Sequence, residues 1–206
     1  YLNNERRSTL SKVEELNIAK IHAELEALKN QTDPHFIFNS LNTLSFLIST
    51  DTASAKHFTN TLAGVYRYIL LNKEKDFVLL KEEIEFISNY FYLLKIRFGN
   101  AINMVVEIND VSAEDFLIPP ISLQILVENA VKHNEFSEKF PMEINVSIMQ
   151  NYVLIKNAVR KKQILPNSTN MGLKNLNNRY QYLTKRNIII QTVNNSFIAK
   201  LPILKF

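Results

Sequence analysis

The sequence predicts an α+β protein, with helices in its N-terminal half and a two-layer α/β sandwich in its C-terminal half. Two observations favour this fold class. Up to Gly99, apolar residues recur at steps of three and four, the spacing of helices that pack side by side. Beyond Asn100, apolar and polar residues alternate over short runs, as in strands with one buried face. We therefore expect a domain boundary near Asn100.

The composition is that of a globular chain and excludes several kinds of site. Of the 206 residues, 46% are hydrophobic and 21% are charged, which suffices for one or two cored domains. Cysteine is absent, so disulfides, thiolate metal sites and a cysteine nucleophile are excluded. The net charge of +4 comes from scattered lysine and arginine residues, a distribution that argues against nucleic-acid binding.

No targeting or membrane-spanning segment can be recognised in the sequence. Its apolar runs fall short of the roughly 20 residues that span a bilayer, and no signal peptide opens the chain. Because the first residue is Tyr1 and not methionine, we expect a fragment of a longer protein. The expected location is the cytoplasm, with a membrane anchor in the part that precedes Tyr1.

Residues 1–30 are predicted to form a coiled-coil signalling helix. Between Glu5 and Asn30 there is no glycine or proline, and four apolar residues follow at steps of three, four and three: Ile18, Ile21, Leu25 and Leu28. This spacing forms the seam of a coiled coil. A single amphipathic helix that packs on its own domain is the alternative, but we favour a parallel homodimer.

A second helix, with a different apolar face, is predicted to follow Pro34. Proline lacks an N–H donor and its ring crowds the preceding turn, so we expect a kink or a restart there. The apolar residues that follow at helical spacing are Ile37, Leu41, Leu44 and Ile48. With about 100° between successive helical residues, His35, Asn39 and Asn42 lie opposite this face.

The remaining elements follow from the same two periodicities. One helix is predicted around residues 58–69, and another from Leu80 to Phe98, ending at Gly99. In the C-terminal half, helices are expected from Pro119 to about Asn134 and over residues 172–184. Alternation predicts strands at residues 104–108, 144–148, 153–155 and 197–201.

Residues 31–42 read QTDPHFIFNSLN, a combination of residue types that seldom occurs together over so short a stretch. They resemble the phosphoacceptor box of the Lyt-type sensor histidine kinases, Gln-x-x-Pro-His-Phe-x-Phe-Asn-x-Leu-Asn, at every fixed position. The resemblance implies that His35 accepts the γ-phosphoryl group of ATP and passes it to an aspartate on the receiver domain of a response regulator. It also implies that Asn39, one turn away, positions a water for the reverse hydrolytic step. The alternative is a surface or packed histidine.

Residues 118–134 read IPPISLQILVENAVKHN and resemble the N box of the same family, Pro-x-x-x-Leu-x-x-Leu-Val-Glu-Asn-Ala-x-Lys-His. The resemblance implies the ATP-binding sandwich that histidine kinases share with gyrase, Hsp90 and MutL. In that fold Asn129 binds the Mg²⁺ that bridges the triphosphate, and Lys132 and His133 meet phosphate oxygens. Glu128 is a candidate base that helps to activate His35, and a surface charge is the alternative interpretation.

The segments after the N box depart from the family pattern. Many kinases have Asp-x-Gly after the strand at 153–155, and here Asn157 and Val159 occupy those two positions. The resemblance implies that Asn157 accepts a hydrogen bond from the adenine amino group, although an asparagine that only ends the strand is the alternative. Residues 158–170 are expected to form the ATP lid.

Residues 170–180 read NMGLKNLNNRY and are similar to the family's glycine-rich box, reduced to one glycine. The resemblance implies that phosphate lies near Gly172 and Leu173, where backbone N–H groups at the start of a helix can bind it. Arg179 either pairs with phosphate or braces the helix, and bracing is slightly favoured.

The order of the two boxes predicts an ATP-dependent protein-histidine kinase of a two-component system, with ATP and Mg²⁺ as cofactors. We expect a signalling helix at 1–30, a dimerisation and phosphoacceptor domain at 31–99, and an ATP-binding domain at 100–206. The expected partners are a second copy and a response regulator. A degraded kinase that acts as a dimeric scaffold or relay is the first alternative. An ATPase is opposed by Ile125, which stands where the superfamily's ATPases have a catalytic glutamate.

Overall fold

The computed structural model of the chain describes residues 34–108, 113–160, 162 and 171–205. The coiled coil predicted at 1–30 therefore lies outside the described residues. The chain divides into two compact units between Thr52 and Ala53. The predicted domain boundaries stay predictions. Among the described helices, none has the length and apolarity that a bilayer span requires.

The first unit contains helix α1, Pro34–Thr50. Proline is favourable at the first position of a helix, where its missing N–H would have no partner in any case. Near the other end, the hydroxyls of Ser49 and Thr50 donate to the carbonyl of Phe46 at 2.8 and 2.9 Å. The helix predicted to follow Pro34 is confirmed.

The apolar face predicted for α1 is only partly correct. Leu41 and Ile48 are 53% and 63% exposed, and Phe38, one turn from Leu41, is 68% exposed. The buried positions are Ser40 and Leu47, which are seven residues apart and so share one side of the helix. Because α1 is apolar on more than one side, spacing alone did not identify the buried one. An exposed apolar row remains on a single copy of the chain.

The elements that follow α1 confirm every helix and strand predicted after residue 50. The helices are α2 (Thr52–Asn72), α3 (Leu80–Phe98), α4 (Ser122–His133) and α5 (Met171–Thr184). The strands are β1 (Val78–Leu79), β2 (Ile102–Glu107), β3 (Phe116–Ile118), β4 (Met142–Met149), β5 (Tyr152–Ala158), β6 (Ile189–Val193), β7 (Ser196–Pro202) and β8 (Leu204–Lys205).

Helices α2 and α3 pack against each other through aromatic side chains. The rings of Tyr68 and Phe86 stack with their centroids 4.2 Å apart, and those of His57 and Tyr92 meet edge to face at 4.8 Å. Helix α3 ends at Gly99, whose φ of 57° lies in the left-handed region that glycine adopts without a Cβ clash. The chain then turns into β2.

The central sheet has the strand order β2-β4-β5-β7-β6. Strands β2 and β4 run parallel, and the other neighbouring pairs are antiparallel. The hairpin between β6 and β7 turns through Asn194 and Asn195, both with positive φ, as a type I′ turn requires. The three short strands form a second sheet with the order β1-β3-β8.

Helices α3, α4 and α5 form one layer of the second unit, and the central sheet forms the other. Alternate strand residues are fully buried: Ile144, Val146, Val153, Ile155, Ala199 and Leu201. On the helices, Ile87, Leu126 and Leu176 are buried to the same extent. This alternation is the burial pattern of a sheet covered on one face. The predicted α+β class with a two-layer sandwich is confirmed.

Four strands escape prediction from the sequence, for two physical reasons. Strands β1, β3 and β8 are two or three residues long, too short for an alternating pattern to be recognised. Strand β6 lies at the edge of the central sheet and all five of its residues are exposed, so no buried face imposes alternation on its sequence, IIQTV.

Candidate functional site

Helix α4 carries four of the predicted site residues, and the chain enters it in a strained conformation. Ile121, just before the helix, has a φ of 67°, in the left-handed region. A β-branched side chain is crowded by this backbone conformation, so neighbouring groups have to stabilise it. Part of that support is local, because the Ser122 hydroxyl donates to the carbonyl of Pro119 at 2.6 Å. The remainder comes from other helices.

The buried carboxylate of Glu83, in α3, caps the start of α4. Its Oε2 accepts the N–H of Ile121 and its Oε1 that of Leu123, both at 3.0 Å. Tyr68 of α2 donates its hydroxyl to the same Oε2 at 2.7 Å. Burial raises the pKa of Glu83 above its ordinary value, and these hydrogen bonds act in the opposite direction. One carboxylate thus links α2, α3 and α4.

Sequence analysis missed Glu83, although a signal for it exists. Glu83 lies three residues after Leu80 and four before Ile87, on the apolar stripe that predicts the buried face of α3. A carboxylate on such a stripe is almost never fully buried unless it is paired. A charged residue at a core position of α3 could therefore have indicated a buried polar network.

Arg179, in α5, also contacts the segment that leads into α4. Its Nη1 donates to the carbonyl of Pro120 at 2.9 Å, and its Nη2 donates to that of Lys75 at 2.8 Å. Burial lowers the pKa of the guanidinium, and the nearby Glu83 charge opposes this shift. Since two backbone carbonyls already engage the guanidinium, this geometry fits bracing, the role that the sequence slightly favours.

Glu128, in the middle of α4, is held by two donors. The hydroxyl of Tyr90, in α3, lies 3.0 Å from its Oε1, and the Nε2 of Gln124 lies 2.6 Å from the same oxygen. Hydrogen bonds to an ionised acceptor are stronger than those between neutral groups. The carboxylate is therefore fixed against α3, and its role as a base stays a prediction.

Asn129, Lys132 and His133 follow along the next turn of α4. Lys132 is exposed, and Asn129 and His133 are half-buried. Burial lowers the pKa of the His133 imidazole, and the charges of Lys132 and Lys162 lower it further. A histidine whose pKa lies below its usual value is neutral at physiological pH. These three side chains offer an amide, an ammonium and a neutral imidazole to a ligand.

The chain that leaves β5 is fastened to the end of α4. The buried Asn134 accepts the N–H of Arg160 on its Oδ1 at 2.8 Å. Lys162 donates its N–H to the carbonyl of His133 at 3.3 Å and its Nζ to that of Val131 at 3.1 Å. These bonds bring two cations of the predicted lid to α4. The lid residues 163–170 lie outside the described residues.

Asn157 has an unusual side-chain environment. It is 2% exposed, and its Nδ2 donates to the carbonyl of Ala158 at 2.8 Å. Within the described part of the chain, its buried Oδ1 has no hydrogen-bond partner. An unsatisfied buried acceptor costs roughly 1–3 kcal/mol, a cost that a ligand with a suitably placed donor would remove. This buried oxygen is a candidate acceptor for a ligand, and the adenine-binding role of Asn157 stays a prediction.

The start of α5 lies beside the middle of α4. Gly172, the second residue of α5, is exposed, and Leu173 is half-buried. A Cβ added at Gly172 would lie 3.7 Å from the Cγ2 of Ile125, so the two helices are in close contact there. The first N–H groups of a helix have no intrahelical acceptor and are available to an anion. The structure thus places α4, the end of β5 and the start of α5 next to one another.

The predicted phosphoacceptor, His35, and the residue predicted to position a water, Asn39, belong to the first unit. His35 is the second residue of α1, and Asn39 follows one turn later with a half-buried side chain. Asn39 thus lies at the spacing that places side chains on neighbouring turns.

The residues on α4 fit a magnesium ion that arrives with a triphosphate. Among the described residues, no group of three or more acidic or histidine side chains could hold a metal ion. Mg²⁺ does not require such a cage, because it keeps several waters and binds one or two protein oxygens together with phosphate. The amide oxygen of Asn129 can supply one of those oxygens.

Comparison with known proteins supports the family resemblance of this chain. The histidine kinase family model matches residues 23–102, which include His35. Over 135 residues the chain is 34% identical to the sensor protein LytS of Staphylococcus epidermidis, a match that covers 65% of this chain and 23% of that protein. Over these residues the chain is similar to the Lyt-type sensor histidine kinases. The resemblance stated for its motifs is confirmed.

A further relative within this family is the sensor histidine kinase/phosphatase LytS of Staphylococcus aureus. It is 33% identical over 128 residues, which are 62% of this chain and 22% of the relative. The chain therefore spans less than a quarter of the length of the curated relatives it matches.

Solved structures of histidine kinases also resemble the chain. The catalytic domain of ThkA matches with a TM-score of 0.43 and 16% identity, over 61% of this chain and 94% of that domain. Acinetobacter baumannii AdeS matches with a TM-score of 0.40 and 12% identity, over 81% of this chain and 94% of AdeS.

Proposed function

We propose that this chain is the catalytic core of a two-component sensor histidine kinase, which transfers the γ-phosphoryl group of ATP to His35 and then to an aspartate of a response regulator. The observation that carries the nucleotide half of this function is the buried, unpaired Oδ1 of Asn157. The exocyclic amino group of adenine can donate to that oxygen. The cations Lys132 and Lys162, near the end of α4, offer partners for the phosphates.

The roles of the remaining site residues follow from their chemistry. The amide oxygen of Asn129 holds Mg²⁺, which when bound neutralises charge on the transferring phosphoryl group. Lys132 and His133 bind phosphate oxygens as an ammonium and a neutral imidazole. The N–H groups near Gly172 and Leu173 bind phosphate at the start of α5. Arg179 orients α4 and makes no contact with the nucleotide.

His35 acts as the nucleophile of the first phosphoryl transfer. A ring nitrogen of the neutral imidazole forms a bond to the γ-phosphorus while the bond from phosphorus to the ADP oxygen breaks. The proton released from the ring passes to a base, for which Glu128 and Asp33 are the candidates. In the second transfer, the phosphorus–nitrogen bond breaks as the aspartate of the regulator takes the phosphoryl group. Asn39 positions the water of the reverse, hydrolytic step.

Nucleotide binding tests the first half of this function directly. We expect isothermal titration calorimetry to detect binding of a non-hydrolysable ATP analogue in the presence of Mg²⁺. The affinity for this analogue should be higher than the affinity for the corresponding GTP analogue. Asn157→Ala should weaken ATP binding about fivefold to tenfold, the worth of one buried hydrogen bond, and should remove most of the preference for adenine. Asn103→Ala is the control, because Asn103 is exposed on the edge strand β2 and should leave binding unchanged.

A dimeric scaffold is the second candidate function. It is favoured by Val159 and by the single glycine of the glycine-rich box, both of which depart from the family's nucleotide site. If the wild-type chain binds no adenine nucleotide with Mg²⁺ at millimolar concentration, this candidate replaces the kinase.

The second copy of the chain is the partner that the exposed face of α1 fits best. Phe38, Leu41 and Ile48 form an apolar row on the helix that carries His35, and burial of such a row stabilises a helix bundle. We expect light scattering to report twice 23.9 kDa for the wild type. Leu41→Glu should shift the chain toward the monomer, whereas Asn103→Glu should not. A wild-type monomer at high concentration would contradict the homodimer.

We place this part of the protein in the cytoplasm, because its proposed substrates, ATP and a response regulator, are found there. The membrane anchor proposed for the full-length protein then belongs to sequence outside this chain. The stimulus would reach His35 through the segment that precedes α1.

A further inference from the structure

We propose that Glu83 is a positioning residue for the nucleotide site on α4, and that Tyr68 ties this carboxylate to α2. This role rests on the proposed function, because it requires that α4 bind a magnesium nucleotide through Asn129. Neither the phosphoacceptor box nor the N box includes Glu83 or Tyr68. Their role follows from the hydrogen bonds at the start of α4.

Glu83 fixes where α4 begins. Its two oxygens accept the N–H groups of Ile121 and Leu123, which belong to the first turn and have no intrahelical acceptor. A carboxylate at this end also interacts favourably with the helix dipole. Because Ile121 has a φ of 67°, its backbone would relax toward an ordinary conformation if the bond to Glu83 were lost. The entry into α4 depends on this carboxylate.

The start of α4 determines the position of Asn129. Asn129 lies six residues after Leu123, which is about 9 Å along a helix axis. Between them, Leu126 and Val127 are fully buried, so the helix moves as a packed body. Glu128, next to Asn129, is held by Tyr90, which lies two turns after Glu83 in α3. Helix α3 therefore holds α4 at two points, and the first of them is Glu83.

Tyr68 connects this arrangement to α2. Its hydroxyl donates to Glu83 at 2.7 Å, while its ring stacks on Phe86, one turn after Glu83 in α3. A buried carboxylate that loses one of its three donors is less well satisfied, and its hold on α4 weakens. A displacement of α2 that breaks this bond would therefore change the affinity of α4 for a magnesium nucleotide.

Titration of the whole chain with a non-hydrolysable ATP analogue, with Mg²⁺ and with EDTA, tests this role. We expect Glu83→Gln to weaken binding about tenfold with Mg²⁺, because the amide has one acceptor oxygen in place of two and its NH2 would face one of the two N–H donors. In EDTA the loss of nucleotide affinity should stay below about twofold, because the amide of Asn129 then has no metal to bind and makes no contribution. Tyr68→Phe keeps the ring stack and should weaken magnesium-dependent binding about threefold.

Glu82→Gln is the matched control. It removes the same charge from the neighbouring position of α3, where the exposed Glu82 accepts the N–H of Leu79 and, within the described part of the chain, makes no hydrogen bond to α4. Its nucleotide affinity should equal that of the wild type. A folded Glu83→Gln variant that binds nucleotide as tightly as the wild type would overturn the positioning role. So would a variant that loses as much affinity in EDTA as it loses with Mg²⁺. If circular dichroism shows that Glu83→Gln is unfolded, the affinities of Tyr68→Phe with Mg²⁺ and in EDTA test the positioning role by the same criteria. A wild-type chain that binds no nucleotide contradicts the proposed function instead.

Discussion

Replacement of His35 by glutamine should abolish phosphorylation of this chain. A glutamine amide is not a nucleophile at physiological pH, whereas a neutral imidazole is. Incubation of the wild type with γ-labelled ATP should give a label that acid removes and base does not, the behaviour of a phosphoramidate. His57→Gln should keep the full label, because His57 lies in α2, outside the phosphoacceptor box.

Two further outcomes separate the possible interpretations of the labelling experiment. Asn39→Ala should keep the label on His35 but slow its loss when the response regulator is present. A label that survives in His35→Gln would show that another residue accepts the phosphoryl group. If the wild type binds ATP but takes up no label, the chain acts as a scaffold.

Asn129→Ala should reduce phosphoryl transfer at least about a hundredfold, the scale of losing one group that stabilises charge in the transition state. The fold should be unaffected, because the half-buried side chain of Asn129 is not part of the core, and such substitutions change stability by about 0.5 kcal/mol or less. Asn129→Asp should behave in the same way, and Asn103→Ala should keep the wild-type rate. The measurement is the initial rate of labelling, together with the melting temperature.

Wild-type labelling in both Asn129 variants, at unchanged melting temperature, would mean that magnesium is bound elsewhere. Loss of labelling together with a large fall in melting temperature would instead assign Asn129 to packing. Since the two quantities are measured on the same samples, these outcomes are distinguishable.

Helices were easier to predict than strands because of how they bury apolar residues. The stripe from Leu80 to Phe98 recurs over five turns, and packing against α2 and α4 preserves it throughout. Strand β5 has a buried face, which imposes alternation on its sequence. Strand β6 is exposed at the sheet edge, so no burial constrains its side chains. Periodicity therefore identifies the helices and strands that bury one face in the core, and it does not identify exposed ones such as β6.

The residues of the candidate site also differ in how far the sequence alone could predict them. His35 and Asn129 could be predicted because each lies in a contiguous motif. Glu83 could not be assigned a partner, since the N–H groups that it accepts belong to residues 38 and 40 positions later. Asn134 presents the same difficulty, because its acceptor oxygen serves Arg160 in a different element. Side chains that bind distant backbone groups leave no local pattern in a sequence.

The parallel pairing of β2 with β4 constrains how the domain can fold. Two parallel neighbours require a long crossover, and in this chain the crossover contains α4. This pair of strands cannot form until the helix has been synthesised, and the entropy of closing that long loop makes the pairing a slow, non-local event. The nucleotide site that we propose on α4 therefore forms in the same event as sheet closure. A shortened chain that ended between His133 and Met142 would retain Asn129, Lys132 and His133 but lose Asn157, Gly172 and the sheet against which α4 packs.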